Sequence, residues 1–407
     1  MVTAVGALPP LAARVSSYRP SKVREIFARA SAPGVISLAG GSPHVQSLPM
    51  AELAEQARDI VAEQGAVAFQ YSFGCGLPAL QRQIADLVAL EGIEVDPDHV
   101  LVTAGSQLGL EALCKVVLDP GDVVIAEGPA YAGGLSALCS YGAEVRHVRT
   151  DAEGTDPDHL AELIDAAATR GKRVKMYYCM PTFQNPRNTV MSPERRERVA
   201  RICEERGVLL LEDNAYGLLG FDGATHRAIK ATHPDQVAYL GSFSKIFSPG
   251  LRLGYVIPPE PYVQALKDTI ETFILNPPTF GQLQVLSYLT RSDWREHLVA
   301  ARAMYSRRLD ALLGALEATM PPEVTWRRPS GSFYLWVTLP DELDSEELMA
   351  EALARGVAFV PGTAFYTDGQ GHHEARLSYC LPTEEELGRA GRILGELFSE
   401  RLREARA

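Results

Sequence analysis

Between residues 100 and 257, short and almost entirely apolar runs alternate with longer stretches of helical periodicity. The apolar runs have the length of strands, and their lack of polar positions is typical of strands buried on both faces. Connections long enough to hold a helix make neighbouring strands parallel. The pattern therefore predicts an α/β fold in which a parallel or mixed sheet lies between layers of helices. We predict strands at 100–103, 123–126, 144–148, 174–179, 208–211, 237–240 and 253–257, and helices at 108–118, 131–141, 158–168 and 194–206.

The sequence after residue 290 has a different pattern, with a long helix at 294–316, three short strands and a final helix at 384–403. This order favours a smaller α+β domain. A helix over 21–30 and a short strand over 35–38 precede the large sheet. We predict four segments: an N-terminal arm (1–20), the N-terminal part of the small domain (21–60), a large domain (61–290) and the C-terminal small domain (291–407).

Composition excludes several classes of protein. The net charge of −12 argues against a nucleic-acid binder, since the chain has no basic stripe. We see no signal peptide and no apolar run of membrane-spanning length, so we predict a cytoplasmic protein that does not associate with membranes. The six cysteines include no CxxC pair, which indicates neither a disulfide framework nor a metal site.

Lys245 lies in a run rich in hydroxyl groups and glycines, residues 241–254. Ser242 and Ser244 flank it, and Arg252 follows seven positions later. The hydroxyls and the arginine suit a phosphate dianion, and a lysine near that phosphate suits a Schiff base with an aldehyde. Pyridoxal 5′-phosphate (PLP) needs both at once. A surface loop is the alternative interpretation of this run taken alone.

A second candidate phosphate contact is the turn before the helix predicted at 108–118. Gly105 permits close backbone approach, Ser106 adds a hydroxyl, and Gln107 follows at the start of the helix. Backbone N–H groups at a helix N-terminus attract anions. A glycine turn before a helix is common in proteins that bind no phosphate. Together with Ser242 and Arg252, however, this turn would complete a phosphate-binding cup.

Four residues follow the ends of predicted strands, where open α/β sheets bind ligands. Asp213 could pair with a protonated pyridine nitrogen, and Tyr216 could reach the oxygen of the same ring. Tyr131 could stack on a flat ring. Asn185 could donate to a phenolic oxygen. Taken singly, these residues are equally typical of a helix cap, a core tyrosine and an Asx turn.

Arg376 lies on a predicted strand with apolar neighbours, where an unpaired cation would be costly. Its planar fork suits the two oxygens of a carboxylate. A structural ion pair is the alternative interpretation. The order of phosphate turn, Asn185, Asp213, Lys245, Arg252 and Arg376 is nevertheless a specific arrangement.

With these residues the chain resembles the class I aminotransferases, which are fold type I PLP enzymes. The resemblance runs from about residue 35 to residue 397. Within that class it is similar to the 2-aminoadipate, kynurenine and aromatic aminotransferase branch. The segments that carry the resemblance are 36–41, 71–72, 103–107, 212–216, 241–254 and 359–362.

The resemblance implies a large domain with a mostly parallel seven-stranded sheet and an aminotransferase that moves an amino group between an L-amino acid and a 2-oxo acid. One partner would be 2-oxoglutarate. It also implies a homodimer with active sites between the subunits, in which Tyr71 of the neighbouring subunit touches the phosphate. Gly41 would lie over the substrate carboxylate. Lys245, Asp213 and Tyr216 would be the catalytic residues.

One segment departs from the family pattern. The family usually reads Asn-Pro-Thr-Gly where this chain reads Asn185-Pro186-Arg187-Asn188. Fold relatives with altered pockets perform cyclisation, elimination or oxidation, so a PLP enzyme with another outcome is the alternative function. A non-enzymatic PLP-sensing regulator is a third hypothesis, which the short segment before the first helix disfavours.

Two residues are candidates for binding the substrate side chain. Arg24 matches the position that meets the distal group of acidic substrates in the 2-aminoadipate branch, and so favours 2-aminoadipate or glutamate. Glu271 precedes a proline-rich segment near the place where aspartate-type relatives carry an arginine, and would suit a cationic side chain. Either residue could instead belong to a solvated helix face.

Overall fold

The computed structural model of the protein describes residues 10–18, 22–30, 32–72 and 74–407. The predicted arm lies partly outside these ranges, and within them Ala13–Ser17 forms a 3₁₀ helix. The α-helices of the described residues are α1 Lys22–Ala30, α2 Met50–Ala68, α3 Pro78–Val88, α4 Ser106–Val117, α5 Ala132–Ser140, α6 Pro157–Thr169, α7 Pro193–Arg206, α8 Val263–Ile274, α9 Thr279–Arg291, α10 Trp294–Thr319, α11 Ser345–Ala354 and α12 Glu384–Ala405. The strands are β1 Ile36–Ser37, β2 Leu101–Thr103, β3 Val123–Gly128, β4 Glu144–Asp151, β5 Gly154–Thr155, β6 Val174–Cys179, β7 Leu209–Asn214, β8 Val237–Ser242, β9 Gly254–Ile257, β10 Thr325–Trp326, β11 Tyr334–Thr338, β12 Val357–Ala358, β13 Val360–Pro361 and β14 Glu374–Ser378.

The large sheet confirms the predicted α/β class. Its strand order is β2-β9-β8-β7-β6-β3-β4-β5. The central strands β8, β7, β6, β3 and β4 pair in parallel, whereas β9 runs antiparallel to both β2 and β8. Seven of the strands are those predicted from apolar runs, and the two-residue β5 adds a short antiparallel edge to β4.

The parallel arrangement brings the carboxyl ends of six strands to one edge of the sheet. Strands β3, β4, β6, β7 and β8 are parallel, and β2 runs in the same direction because two antiparallel pairings separate it from β8. The loops after these strands carry the residues predicted to bind the cofactor. The sheet therefore places them near one another although they are far apart in sequence.

Two smaller sheets join the N- and C-terminal parts of the chain. Strand β1 pairs in parallel with β12, and β10, β11, β14 and β13 form an antiparallel sheet. This pairing agrees with a small domain built from both chain ends. The predicted boundary after residue 60 falls inside α2, which packs against α9, so the division into domains stays a prediction.

Local signals explain several helix ends. Ser192 caps α7 by accepting from the N–H of Arg195, and Gly207 ends that helix in the left-handed conformation. Thr383 forms a capping box with Glu386 at the start of α12. Predicted helices agree with the observed ones to within a few residues, whereas α2, α3, α8, α9 and α11 lie in segments without a sequence-based prediction. No helix of the described residues is both long and apolar enough to cross a bilayer.

Candidate active site

Asp213 lies in β7, one residue before its end, with only 5% of its surface exposed. Its Oδ2 accepts a hydrogen bond of 2.8 Å from the hydroxyl of Tyr178 on the neighbouring β6. Its Oδ1 is buried and has no partner among the described residues. Burial raises the pKa of this carboxyl to about 6, against the opposing effects of Tyr178 and Lys245. A buried, half-satisfied carboxylate of this kind calls for a cationic N–H donor.

Lys245 follows β8 by three residues, and its Nζ donates to the carbonyl of Gly41 at 2.9 Å. The pKa of the amine is lowered from its usual 10.5 to about 8. Burial is the main cause, and the nearby charges of Arg376 and Arg252 act in the same direction. Cys380 and Asp213 act in the opposite direction. The result is a lysine that is partly neutral near physiological pH, as a nucleophile or proton carrier requires.

The glycine turn before α4 and Arg252, both predicted to bind a phosphate, lie against each other. Gly105 precedes this helix with a φ of 83°, and a Cβ at that position would collide with the guanidinium of Arg252. The arginine therefore lies against the helix N-terminus, where N–H groups and a cation face the same space. On the opposite loop, the buried Ser242 accepts from the N–H of the buried Ser244 at 3.1 Å. Gln107 donates to a backbone carbonyl in α5 at 3.2 Å.

Arg376 and Asn185 are brought together across the two halves of the chain. The Nη1 of Arg376 donates to Asn185 Oδ1 at 2.9 Å, and its Nη2 donates to the carbonyl of Ala39 at 2.8 Å. The guanidinium lies 4.1 Å from the ring centre of Tyr334 and is buried. Its Nε has no acceptor, and no carboxylate pairs with this arginine in the part of the chain that the structure describes. A carboxylate ligand would supply the missing anion.

Three tyrosines surround this space. Tyr216 and Tyr334 share a hydrogen bond of 3.1 Å between their hydroxyls. Tyr131 precedes α5 and its ring folds over Gly133. Burial and the nearby Asp213 raise the pKa of Tyr131 to about 12, so it stays neutral.

Gly41 is fixed by its neighbours in the same space. A Cβ on this residue would overlap the hydroxyl of Tyr334, so a larger residue would displace that tyrosine. Its carbonyl is also the acceptor for Lys245. The backbone of Gly41 therefore touches the same side chains as the candidate catalytic groups.

Two members of the site were missed by sequence reasoning, Tyr178 and Tyr334. Tyr178 lies in β6, where a polar hydroxyl in an apolar run next to the strand that carries Asp213 would have been the only signal. Tyr334 lies at the start of β11 in the C-terminal part, and nothing in its local sequence points to the large sheet.

Three predicted residues are not drawn into this cluster. Tyr71 is 72% exposed, and its backbone N–H donates to the side-chain Oε1 of Gln70. Arg24 lies on the exposed face of α1. Glu271 is exposed on α8, where its charge acts on Cys75 rather than on Lys245.

The donor set fits PLP. A phosphate would meet the helix N-terminus, Ser242, Ser244 and Arg252, and a ring N–H would satisfy the orphaned Oδ1 of Asp213. No cluster of metal-ligating residues occurs within the described ranges. All six cysteines are buried thiols that take no part in a disulfide.

Comparisons with known proteins agree with this chemistry. The family model described as aminotransferase class I and II matches residues 33–394. A 2-aminoadipate transaminase of Thermus thermophilus is 36% identical over 380 residues, covering 92% of this chain and 93% of that enzyme. Aromatic-amino-acid aminotransferase 1 of Thermococcus litoralis is 32% identical over 385 residues, covering 94% and 92%. The crystal structure of kynurenine aminotransferase from Pyrococcus horikoshii, in complex with PMP, superposes with a TM-score of 0.91 at 32% identity, covering 96% of this chain and 97% of that one.

The family match and the fold confirm the predicted activity and its PLP cofactor. The enzyme moves an amino group between amino acids and 2-oxo acids. The protein is a member of the class I and II aminotransferase family, a fold type I PLP enzyme in the branch of the 2-aminoadipate, kynurenine and aromatic aminotransferases.

Proposed function

We propose that this aminotransferase works through Lys245, Asp213, Arg376 and the phosphate cup, with 2-oxoglutarate as one of its 2-oxo acids. The observation that carries the assignment is the hydrogen bond of 2.9 Å from Lys245 Nζ to the Gly41 carbonyl, made by an amine whose pKa is lowered to about 8. This bond holds the amine beside the carboxylate site of Arg376. Such an amine can form a covalent link to an aldehyde and later carry a proton.

PLP, when bound, supplies an electron-accepting ring that stabilises negative charge at the substrate Cα. In this proposal Asp213 holds a proton on the ring nitrogen, and Tyr178 keeps the carboxylate aimed by donating to its other oxygen. Asn185 and Tyr216 would contact the ring oxygen, and Tyr131 would stack on the ring. Gly105, Ser106, Gln107, Ser242, Ser244 and Arg252 hold the phosphate.

Arg376 receives the substrate α-carboxylate in this assignment. Its buried guanidinium has an unused Nε and no acidic partner within the described residues. Because every amino acid substrate carries this carboxylate, the contact orients the Cα–H bond toward Lys245 irrespective of the side chain. The backbone of Gly41 lies over the same group.

A homodimer with active sites between the subunits is the second part of the proposal. Support comes from a series of exposed apolar side chains along α2 and the segment after it, which a monomer would leave in water. Phe69 and Tyr71 are each 72% exposed. Tyr71 would reach the phosphate of the neighbouring subunit. A cytoplasmic location and a role in biosynthetic amino acid metabolism remain predictions from the sequence.

The substrate class is proposed to include 2-aminoadipate or glutamate. The similar Thermus enzyme is named a 2-aminoadipate transaminase. In this chain, Phe27 of α1 packs so close to Gly40 that a Cβ added to the glycine would lie 2.7 Å from the phenyl ring. Arg24 is three positions away on the same helix, so it lies on the same side of α1 as Phe27.

The test is a single-turnover scan of the holoenzyme. The twenty common amino acids, ornithine, kynurenine and 2-aminoadipate are added one at a time, and the absorbance of the bound cofactor and the released product are followed. Transamination gives the amino form of the cofactor and a 2-oxo acid, and 2-oxoglutarate then restores the starting spectrum. An eliminated or cyclised product without the amino form would refute aminotransfer as the outcome.

The control is Lys245→Ala. It should keep the phosphate contacts and bind PLP without a covalent link, while turnover falls by several orders of magnitude. Borohydride reduction of the wild-type enzyme should attach the cofactor to Lys245, as located by mass spectrometry. Attachment to another lysine would overturn the assignment.

A further inference from the structure

The turn after Asn185 joins the large sheet to the small antiparallel sheet. Arg187 Nη2 donates to Glu374 Oε1 at 3.0 Å, and its Nη1 donates to the carbonyl of Thr150 at 3.0 Å. Asn188 donates through Nδ2 to the carbonyls of Gly331 at 2.7 Å and Tyr334 at 3.2 Å. The turn is thus bound to both β11 and β14 by side chains.

Glu374 is the centre of the contacts on β14. Its Oε1 also accepts from the indole Nε1 of Trp336 at 3.2 Å, and its Oε2 accepts from the hydroxyl of Tyr366 at 2.7 Å. The side chains of Arg187 and Glu374 are only 25% and 15% exposed. An ion pair with so little water is worth more than a surface pair, and removing one partner strands the other charge.

Glu374 and Arg376 lie two residues apart on one strand, so they point to the same face of the sheet. Two contacts therefore run side by side between the same turn and the same strand face. One joins Asn185 Oδ1 to Arg376 Nη1 at 2.9 Å, and the other joins Arg187 to Glu374. A shift of β14 that broke the second contact would also move the guanidinium in the first.

We propose that Arg187 is a positioning residue for Arg376. Its ion pair with Glu374 fixes β14 at the distance from the Asn185 turn at which the guanidinium of Arg376 meets the substrate α-carboxylate. The inference rests on the role proposed above for Arg376. Within the chain, Nη2 of Arg187 donates to Glu374 and Nη1 to the carbonyl of Thr150, while its buried Nε has no partner among the described residues. A direct contact of Arg187 with the substrate side chain is therefore the alternative that the test below distinguishes.

The expected signature is a loss of carboxylate binding that is the same for all substrates. An arginine displaced by a fraction of an ångström keeps its charge but loses its aligned fork. Arg187→Gln should therefore raise the KM of every amino acid by roughly 10-fold with little change in kcat, since the contact is made in both the bound and the reacting state. Glu374→Gln should have a similar effect.

The discriminating measurement uses two ligands that bind the holoenzyme without turnover. The first, 2-methylalanine, has an amine and a carboxylate but no Cα hydrogen. The second, tert-butylamine, has the amine but neither a carboxylate nor a Cα hydrogen. Their dissociation constants are read from the absorbance of the bound cofactor, which also reports that the variants are folded and loaded.

We expect Arg187→Gln to weaken the binding of 2-methylalanine roughly 10-fold and to leave the binding of tert-butylamine unchanged. The double variant Arg187→Gln/Glu374→Gln should bind 2-methylalanine no more weakly than either single variant, because the two changes remove the same contact. The control is Arg195→Gln, which removes a pair with Asp151, next to Thr150, and bonds to the carbonyls of Gly154 and Thr155, but leaves the Arg187–Glu374 pair in place. It should leave both dissociation constants unchanged.

Equal weakening of both ligands, additive effects in the double variant, or a loss confined to acidic substrates would each overturn the inference. The last result would make Arg187 a reader of the side chain. Arg376→Lys separates this failure from failure of the assigned carboxylate site. If it weakens 2-methylalanine while Arg187→Gln does not, only the positioning role falls. If it has no effect, the carboxylate site itself is misassigned.

Discussion

Replacing Asp213 with asparagine should make the cofactor-free enzyme more stable while it destroys the activity. The wild-type carboxylate is buried, accepts one hydrogen bond from Tyr178 and leaves Oδ1 without a partner. Asparagine has nearly the same shape, can accept the same hydrogen bond and carries no charge. The change therefore removes an unfavourable burial of charge that only the cofactor relieves.

The size of the effect follows from the pKa. Burial raises the pKa of Asp213 from 3.8 to about 6. As pH rises from about 4 to about 6, the unfolded chain gives up its proton while the folded protein keeps it, so the folded state loses stability. At 1.36 kcal/mol per pKa unit, the loss reaches about 3 kcal/mol and is constant above pH 6. Asp213→Asn should thus gain about 3 kcal/mol at pH 7.5 and almost nothing at pH 4.

The assay is urea unfolding of the cofactor-free proteins at the two pH values and at one protein concentration, since association also adds stability. Tyr178→Phe is the matched control. It keeps the carboxylate but removes its donor, and should cost about 1–3 kcal/mol at pH 7.5. In the holoenzyme, Asp213→Asn should lower kcat by about 100-fold or more, because the charge opposite the ring nitrogen is gone. A cofactor-free Asp213→Asn variant that is no more stable than the wild type at pH 7.5 would refute the reasoning.

Two further predictions concern charge in other places. Glu91 is buried and accepts a hydrogen bond from Asn214, the last residue of β7. Burial raises the pKa of Glu91 to about 7. Glu91→Gln should be about 3 kcal/mol more stable than the wild type at pH 8 and equal to it near pH 4.5, by the same linkage; a difference in urea midpoint that does not vary with pH would contradict this. For the substrate, Arg24→Ala should reduce kcat/KM for 2-aminoadipate and glutamate while sparing apolar donors, and Glu271→Ala should impair only arginine-like donors if that residue reads a cation. Equal effects on all donors in steady-state kinetics would reject both assignments.

The residues that sequence alone could place share one property: each follows a strand in a recognisable local pattern. Asp213 ends an apolar run, Lys245 lies among hydroxyls and glycines, and Gly105 precedes a helix. Because parallel strands end at one edge, their order along the chain was enough to predict that they meet. The same logic found the seven main strands of the large sheet.

The supporting contacts could not be found in this way. Tyr178 meets Asp213 across 35 positions, and Glu374 meets Arg187 across 187. Each partner is ordinary in its local sequence, a tyrosine in an apolar strand and a glutamate at the start of another. Only the register of neighbouring strands, and the docking of the small sheet on the large one, decides which of many such residues come together.

The turn at residues 185–188 departs from the family's usual sequence but keeps a left-handed residue at its fourth position. The family usually has glycine at the fourth position, and this chain has Asn188, whose φ of 60° lies in the left-handed region. Asparagine adopts that region more readily than most residues, so the turn is kept. Its amide then donates to two carbonyls near β11, a contact that glycine cannot make. Arg187 stands where the family has threonine, and its guanidinium donates to the carboxylate of Glu374, a contact that threonine is too short to make. The sequence predicts an altered pocket from these two residues. The inference above instead gives Arg187 a role outside the pocket, in holding the proposed carboxylate-binding arginine in place.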